Sequence, residues 1–281
     1  VAVDPVGARG VIAAGLVADE EGLSIVSGTQ RRHQASYLEA MARIHEGALG
    51  GKVVSGNVCW NQGGLWVKDR AQGQSDMEWQ LRNWLYFTWA SGDHICEQHI
   101  HNLDVANWVM GGAPIRALGS GGREVRTDAR YGNIFDHFTT LLTYPGGRQV
   151  TSMCRQIDGT PSRVMEEFLG PGGRAVLGHG GCRIEGAQAW KSSLDATSPY
   201  VQEHIDLLAS IRGDTPRLNE ATRVAESTLT AVMARMSAYT GKEVTWEFVR
   251  NASVLDLSPP EYAFGDLEMR PVSVPGKTPL I

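Results

Sequence analysis

The feature that most constrains this chain is a series of short segments at 115–119, 135–144, 149–156, 162–170, 174–177 and 182–186, punctuated by glycine. Turns such as Pro145-Gly-Gly and Gly170-Pro-Gly-Gly separate neighbours by a few residues, which predicts antiparallel hairpins in a meander. A sheet of this size has a face to bury, and the flanking helical patterns are the partners available. The expected class is α+β: one large open, mainly antiparallel sheet backed by helices.

The flanks divide the chain into three parts. Asp4-Pro5 is a helix start, with an aspartate N-cap and proline at the first helical position, and Val6, Ile12, Ala13, Leu16 and Val17 give an apolar stripe. The β-branched run 23–29 then reads as a strand. One helix and one strand are too little to fold alone, so 1–33 is expected to be the end of an incomplete doubly wound unit. Residues 34–257 form the expected catalytic and oligomerisation domain. In it, a helix over 34–46 buries Tyr37, Leu38, Met41 and Ile44, a strand follows at 52–60, and helices at 200–212 and 219–240 serve packing. The second of these has Asn219 as N-cap and Gly241 as its stop, and a last strand is expected at 243–248. Residues 258–281 contain five prolines and read as an extended tail.

Chemistry concentrates in 91–111. Read as one helix at about 100° per residue, His94, Glu97, His101, Asp104 and Trp108 share a side. Cys96, His99, Ile100, Leu103 and Met110 form the back, where His99 reads as a core histidine. A solvated face ordinarily carries Lys, Arg and Glu. Interleaved His, carboxylate and Trp instead describe the wall of a pocket.

Further candidates surround it. Arg31, Arg32 and His33 follow the 23–29 strand at the carboxyl end, where open α/β sheets place ligands, although an ordinary basic loop has the same composition. Asn61 and Trp66 leave the 52–60 strand, and Trp79, Trp84, Tyr86, Phe87 and Trp89 form an aromatic cluster read first as core. Tyr131 and His137 bracket the opening of one strand, with Asp136 and His137 on opposite faces. Arg155 stands in an otherwise apolar strand, either salt-bridged or in contact with a substrate.

Composition removes several classes. Net charge is −5 with 20% charged residues and no long block of either sign, so nothing favours nucleic acid or an anionic membrane. No apolar run approaches the roughly 20 residues of a bilayer span. Cys59, Cys96, Cys154 and Cys182 lie far apart in mainly apolar surroundings and are expected to be buried free thiols. No metal centre is expected: four ligands spread over three helical turns do not converge on one ion.

The run 91–108 resembles the active-site helix of the Gfo/Idh/MocA oxidoreductases, in which an acid, three residues, a histidine, two residues and an aspartate follow a glycine-containing entry. Glu97, His101 and Asp104 fill that frame, with Glu97 where the family commonly has aspartate. The resemblance extends to 25–33, Glu46-Gly-Ala-Leu-Gly-Gly51, 131–138 and the closing Ser237-Ala-Tyr-Thr-Gly-Lys242. It implies oxidation or reduction of a hydroxyl on a sugar, inositol or related polyol, with His101 as general acid/base and Glu97 as its partner. Arg32, Asn61, Trp66, His94, Asp104, Tyr131, His137 and Arg155 would contact substrate, and Arg31 the cofactor. That cofactor would be NAD or NADP, held with a Glu-Lys-Pro lysine by a Rossmann domain expected upstream of Val1. Gly119-Ser-Gly-Gly122 and Gly178-His-Gly-Gly181 do not complete a dinucleotide fingerprint. A homodimer or homotetramer through the open sheet is expected, as is typical of such domains. A non-redox carbohydrate lyase or hydrolase, metal-free or assisted by a divalent ion on His94, Glu97, His101 and Asp104, or a non-catalytic assembly module, remains as an alternative. The compartment is left open.

Overall fold

A computed structural model describes residues 1–178, 180–193 and 195–281, so His179 of the second glycine run lies outside the described residues. In chain order the elements are α1 (Pro5–Glu20), α2 (Ala35–His45), β1 (Ser55–Gln62), α3 (Asp76–Arg82), α4 (Thr88–Ser91), α5 (His94–Glu97) and α6 (Ile100–Met110). There follow β2 (Arg116–Gly122), β3 (His137–Thr143), β4 (Gln149–Gln156), β5 (Arg163–Gly170), β6 (Gly173–Leu177), β7 (Arg183–Gly186) and β8 (Trp190–Lys191). The chain closes with α7 (Pro199–Arg212), α8 (Ala221–Thr240) and β9 (Val244–Thr245).

The strands form one nine-stranded sheet in the order β8-β7-β6-β5-β1-β4-β3-β2-β9. The expected hairpins β3–β4, β5–β6 and β6–β7 are present. The simple meander is not: β1 lies between β4 and β5, parallel to β4 and antiparallel to β5. A parallel neighbour requires a long crossover. The chain supplies one, with α3 to α6, β2 and β3 all between β1 and β4.

Alternation along the strands decides which face is covered. Phe138, Leu142, Val150, Cys154, Phe168 and Ala175 are buried in the main core together with Leu229, Val232 and Met233 of α8. Each such apolar side chain contributes roughly 1.5–3 kcal/mol on burial. Nearly every residue of α8 is buried, because the sheet, α1 and α6 pack around it. On the alternate positions Leu118, Met153 and Leu169 are exposed.

Four expectations are corrected. Residues 23–29 make a single parallel bridge, Ile25 to Asn219, rather than a strand. Only Val244–Thr245 of the expected last strand pairs with the sheet, and the chain then winds into a π-helical turn at Phe248–Ala252. The 91–111 helix is broken into α4, α5 and α6. The apolar stripe of α7 faces outward, leaving Val201, Ile205, Leu208 and Ile211 exposed, because α7 docks by its polar side. There Asp206 accepts from His33 at 2.6 Å and Ser210 pairs with Ser24 at 2.8 Å.

The tail has neither helix nor strand but is fastened to the body. Gly276 N donates to Thr240 O, Gln80 to Leu267 O and Ser253 Oγ to Ile281 O. Asp4 caps α1 through Gly7 N and also accepts Leu257 N at 2.7 Å. All four cysteines are free, three of them buried and Cys59 partly so. Among the described residues no helix is long and apolar enough to cross a membrane.

Candidate active site

The site is shaped by the break between α4 and α5. Gly92 ends α4 in the left-handed region at φ 71°, where an added Cβ would meet the Cβ of Cys96 at 2.7 Å. Asp93 follows at φ 72°, an uncommon conformation for a residue with a side chain. Its surroundings hold it there. Ser91 Oγ accepts Asp93 N at 2.9 Å, while the fully buried carboxylate accepts His94 N at 2.6 Å, Phe135 N at 2.8 Å and Tyr239 Oη at 2.6 Å. A second irregularity at Gln98 (φ −122°, ψ −55°) separates α5 from α6. The polar stripe is therefore divided.

Glu97 and His101 stay together. They share a cleft of about 430 Å³ with Trp84, Ser27, Thr29 and Val3 among its walls. Burial pushes the Glu97 carboxyl up to about 7, against a hydrogen bond from Gln156 Nε2 at 3.4 Å that favours the ionised form. Behind Gln156 stands buried Arg126, which donates to Gln156 Oε1 and places its guanidinium over the Tyr86 ring. His101 lies against Trp60, with ring centroids 6.0 Å apart. Trp60 is itself fixed by a bond to Gln62 and by Arg31 over its ring.

His94 does not join them. Its ring packs on Phe138 at 5.1 Å, and neither ring nitrogen has a hydrogen-bond partner among the described residues. Burial holds its pKa well below the usual imidazole value, so it is neutral. His99 is in the core as expected, with Nε2 2.8 Å from Ser152 Oγ, and burial lowers it to about 3.

Asp104 is occupied by protein. Arg32 reaches it through Nε at 2.8 Å and Nη2 at 3.0 Å, Ser227 Oγ donates at 2.7 Å and Arg223 lies at 3.4 Å. Arg32 also covers the Trp108 ring at 4.2 Å. Arg31, expected at the cofactor, is buried and paired with Glu166, which also accepts Tyr37 Oη at 2.9 Å and Asn102 Nδ2 at 2.6 Å. Its role in the structure is to support Trp60. Arg31, Arg32, His94 and Asp104 are therefore not among the residues that line the cleft, and Arg32 instead lines a separate cavity with Trp108 and Arg223.

The other candidates separate into two groups. Tyr131 packs edge-on to Tyr86 at 5.4 Å and lines a second cavity of about 170 Å³ with Arg126, Gln156 and Asp158. Gln156 thus stands between this cavity and Glu97. Trp66 is partly exposed and edge-on to Tyr86. His137, Arg155 and Asn61 are register partners across β3, β4 and β1. His137 is bonded to buried Asp136 at 2.7 Å, Arg155 to Pro161 O, and Asn61 to the Met153 sulfur. Among the described residues no group of three or more His, Cys, Asp or Glu is arranged to hold a metal ion.

Sequence reasoning missed Gln156 and Arg126. The inward positions of β4 are Val150, Ser152, Cys154 and Gln156, so the polar end of that alternation was a readable sign. Arg126 comes from an irregular loop and gave none. The aromatic cluster reads correctly as core for Tyr86 and Phe87, while Trp84 lines the cleft.

Comparison with known proteins agrees with this architecture. Residues 37–176 match the GFO/IDH/MocA C-terminal domain family. No curated protein sequence matches the chain. Among solved structures, an aldose-aldose oxidoreductase from Caulobacter crescentus is 17% identical with a TM-score of 0.64, covering 86% of this chain and 69% of its own. A UDP-N-acetylglucosamine 3-dehydrogenase from Acidithiobacillus ferrooxidans is 15% identical with a TM-score of 0.59, covering 84% and 67%. A levoglucosan dehydrogenase solved with NADH and levoglucosan is 14% identical with a TM-score of 0.62, covering 80% and 67%. The chain spans about two thirds of the length of such structures, 64% in the case of one from Thermotoga maritima. With its nine-stranded sheet and the match over 37–176, the chain belongs to the GFO/IDH/MocA family through its C-terminal domain.

Proposed function

We propose that residues 34–257 supply the substrate and acid–base half of an oxidoreductase acting on a hydroxyl of a sugar, inositol or related polyol, with NAD or NADP as hydride carrier. The observation that carries this reading is the pairing of Glu97 and His101 in one cleft, while the neighbouring carboxylate Asp104 is consumed by arginines. Tested against the cofactor, the residues fit in part. The cleft has room for a ring beside Glu97 and His101, but no glycine-rich phosphate cradle stands among the described residues. This chain is therefore assigned only the proton-handling half.

In that half, His101 accepts the proton of the substrate hydroxyl as the carbon gives up hydride, and returns it in the reverse direction. An imidazole suits this task near neutral pH. Trp60 stands beside the imidazole. Glu97, pushed up to about 7, exchanges protonation state in the same range and stabilises the imidazolium when ionised. Trp84 gives the cleft an aromatic wall of the kind that suits the apolar face of a sugar ring. The exposed apolar residues Leu118, Met153 and Leu169 on the other face of the sheet support a homodimer or homotetramer.

The test is sugar- and polyol-dependent reduction of NAD or NADP by this chain joined to an upstream dinucleotide domain. Cofactor reduction with at least one substrate, abolished by His101→Ala, is expected. Cofactor binding without turnover across the panel would count against oxidoreduction.

A further inference from the structure

Away from the cleft, a further cavity of about 240 Å³ lies between α8 and the C-terminal tail. Its walls are mostly apolar, with Met236, Leu255, Leu257 and Pro279 prominent. Arg235 also lines it, and Arg235 is only 1% exposed. One of its guanidinium nitrogens, Nη1, donates to Gly92 O at 2.8 Å and touches the Cys96 sulfur at 3.9 Å. Among the described residues no carboxylate lies within 4.0 Å of Arg235, and its other two nitrogens have no protein acceptor. A buried guanidinium is costly unless its charge and donors are answered. The Tyr239 ring lies 5.8 Å from the guanidinium carbon, but the neighbouring polar side chains supply no acceptor. Asn133 and Thr88 bond each other, Thr240 bonds Met236 O, and Thr278 accepts Val274 N.

We propose that this cavity binds a compact organic monocarboxylate, with its carboxylate on Arg235 and its apolar body against Met236, Leu255 and Pro279. The planar guanidinium fork matches a carboxylate in geometry as well as charge. The size and apolar walls select against a nucleotide or a hydrated polyanion. Arg270, at the rim, is tied to Asp256 O at 3.1 Å and adds positive potential at the entrance. The site also has a physical link to the cleft. The same Arg235 holds Gly92 O, the residue that turns the chain into Asp93 and α5, and α5 carries Glu97.

The experiment measures binding of benzoate, with the neutral isostere benzamide as control, by calorimetry and by thermal shift on this chain. A saturable one-to-one benzoate isotherm with a raised melting temperature is expected, and about tenfold weaker binding of benzamide, as loss of a charge-assisted bidentate contact implies. Arg235→Lys, which keeps the charge but loses the fork, and Leu255→Trp, which fills the cavity and leaves Arg235 in place, should each weaken benzoate about tenfold or more. If Arg235→Lys fails to fold, Leu255→Trp decides alone. Absence of benzoate binding, equal binding of benzamide, or benzoate binding undiminished in Leu255→Trp would each overturn the proposal, the last by putting the anion elsewhere.

Discussion

Glu97 and Asp104 stand seven residues apart on a stretch whose spacing gives them the same side, yet their surroundings are opposite. Asp104 sits under α8 and receives two arginines and a serine. Glu97 opens on a cleft, receives one long hydrogen bond from an amide, and has its carboxyl pushed up to about 7 by burial. A carboxylate whose lone pairs are filled by protein donors is committed to structure. One that is desolvated but left short of donors keeps its proton exchange available. His99, bonded to Ser152 in the core, and His101, at the cleft against Trp60, likewise stand in different surroundings. For the two carboxylates the surroundings, not the residue type, make the difference.

The sharpest way to break this comparison is to exchange the roles. His101→Ala, in a chain able to turn over, is expected to lower kcat by about 10²–10⁴ with little change in the unfolding midpoint, the range typical for loss of a general acid/base. Steady-state kinetics beside urea unfolding would check it. An equal loss of stability would put His101 with the structural group. Asp104→Ala should do the reverse, removing about 3 kcal/mol by urea denaturation, since it leaves two arginines around a buried hole. That is the low end for breaking a buried pair, because Arg223 retains partial contact with water. Unchanged stability would show that the arginines are held by their other contacts, Arg223 by its existing pair with Glu220.

Much of this arrangement was legible in the sequence, and the illegible parts have physical reasons. Strand segments and hairpins could be read because glycine turns and alternation are local. The place of β1 between β4 and β5 could not, because a parallel pairing across some ninety residues leaves no local mark. The 91–111 stripe was read at one helical phase. Gly92 was the available warning, but the decisive feature, Asp93 at φ 72°, depends on Phe135 and Tyr239 supplying donors from distant segments. As a result the stripe predicts Glu97 and His101 correctly as neighbours and misplaces His94. Likewise, the packing role expected of the 200–212 helix carries no local mark of which side of α7 meets the body. The polar contacts of Asp206 and Ser210 decide that.

The pH dependence tests the comparison most directly, through the linkage of Glu97 to stability. Its folded pKa of about 7 lies above the unfolded carboxylate value of about 4.3. Below that lower value both states hold the proton and Glu97 costs nothing. Between the two, the unfolded chain releases its proton while the folded one retains it, so stability falls as pH rises. Above about 7 both states are ionised and the full cost of a desolvated carboxylate remains. Glu97→Gln removes that cost and still accepts the Gln156 amide. The variant should match the parent near pH 4, gain on it progressively up to about pH 7, and hold a constant advantage beyond. Urea unfolding of both proteins across this range measures the difference. A difference that does not vary with pH would mean that Glu97 titrates as an ordinary surface carboxylate, and the distinction drawn between it and Asp104 would then rest on hydrogen bonding alone.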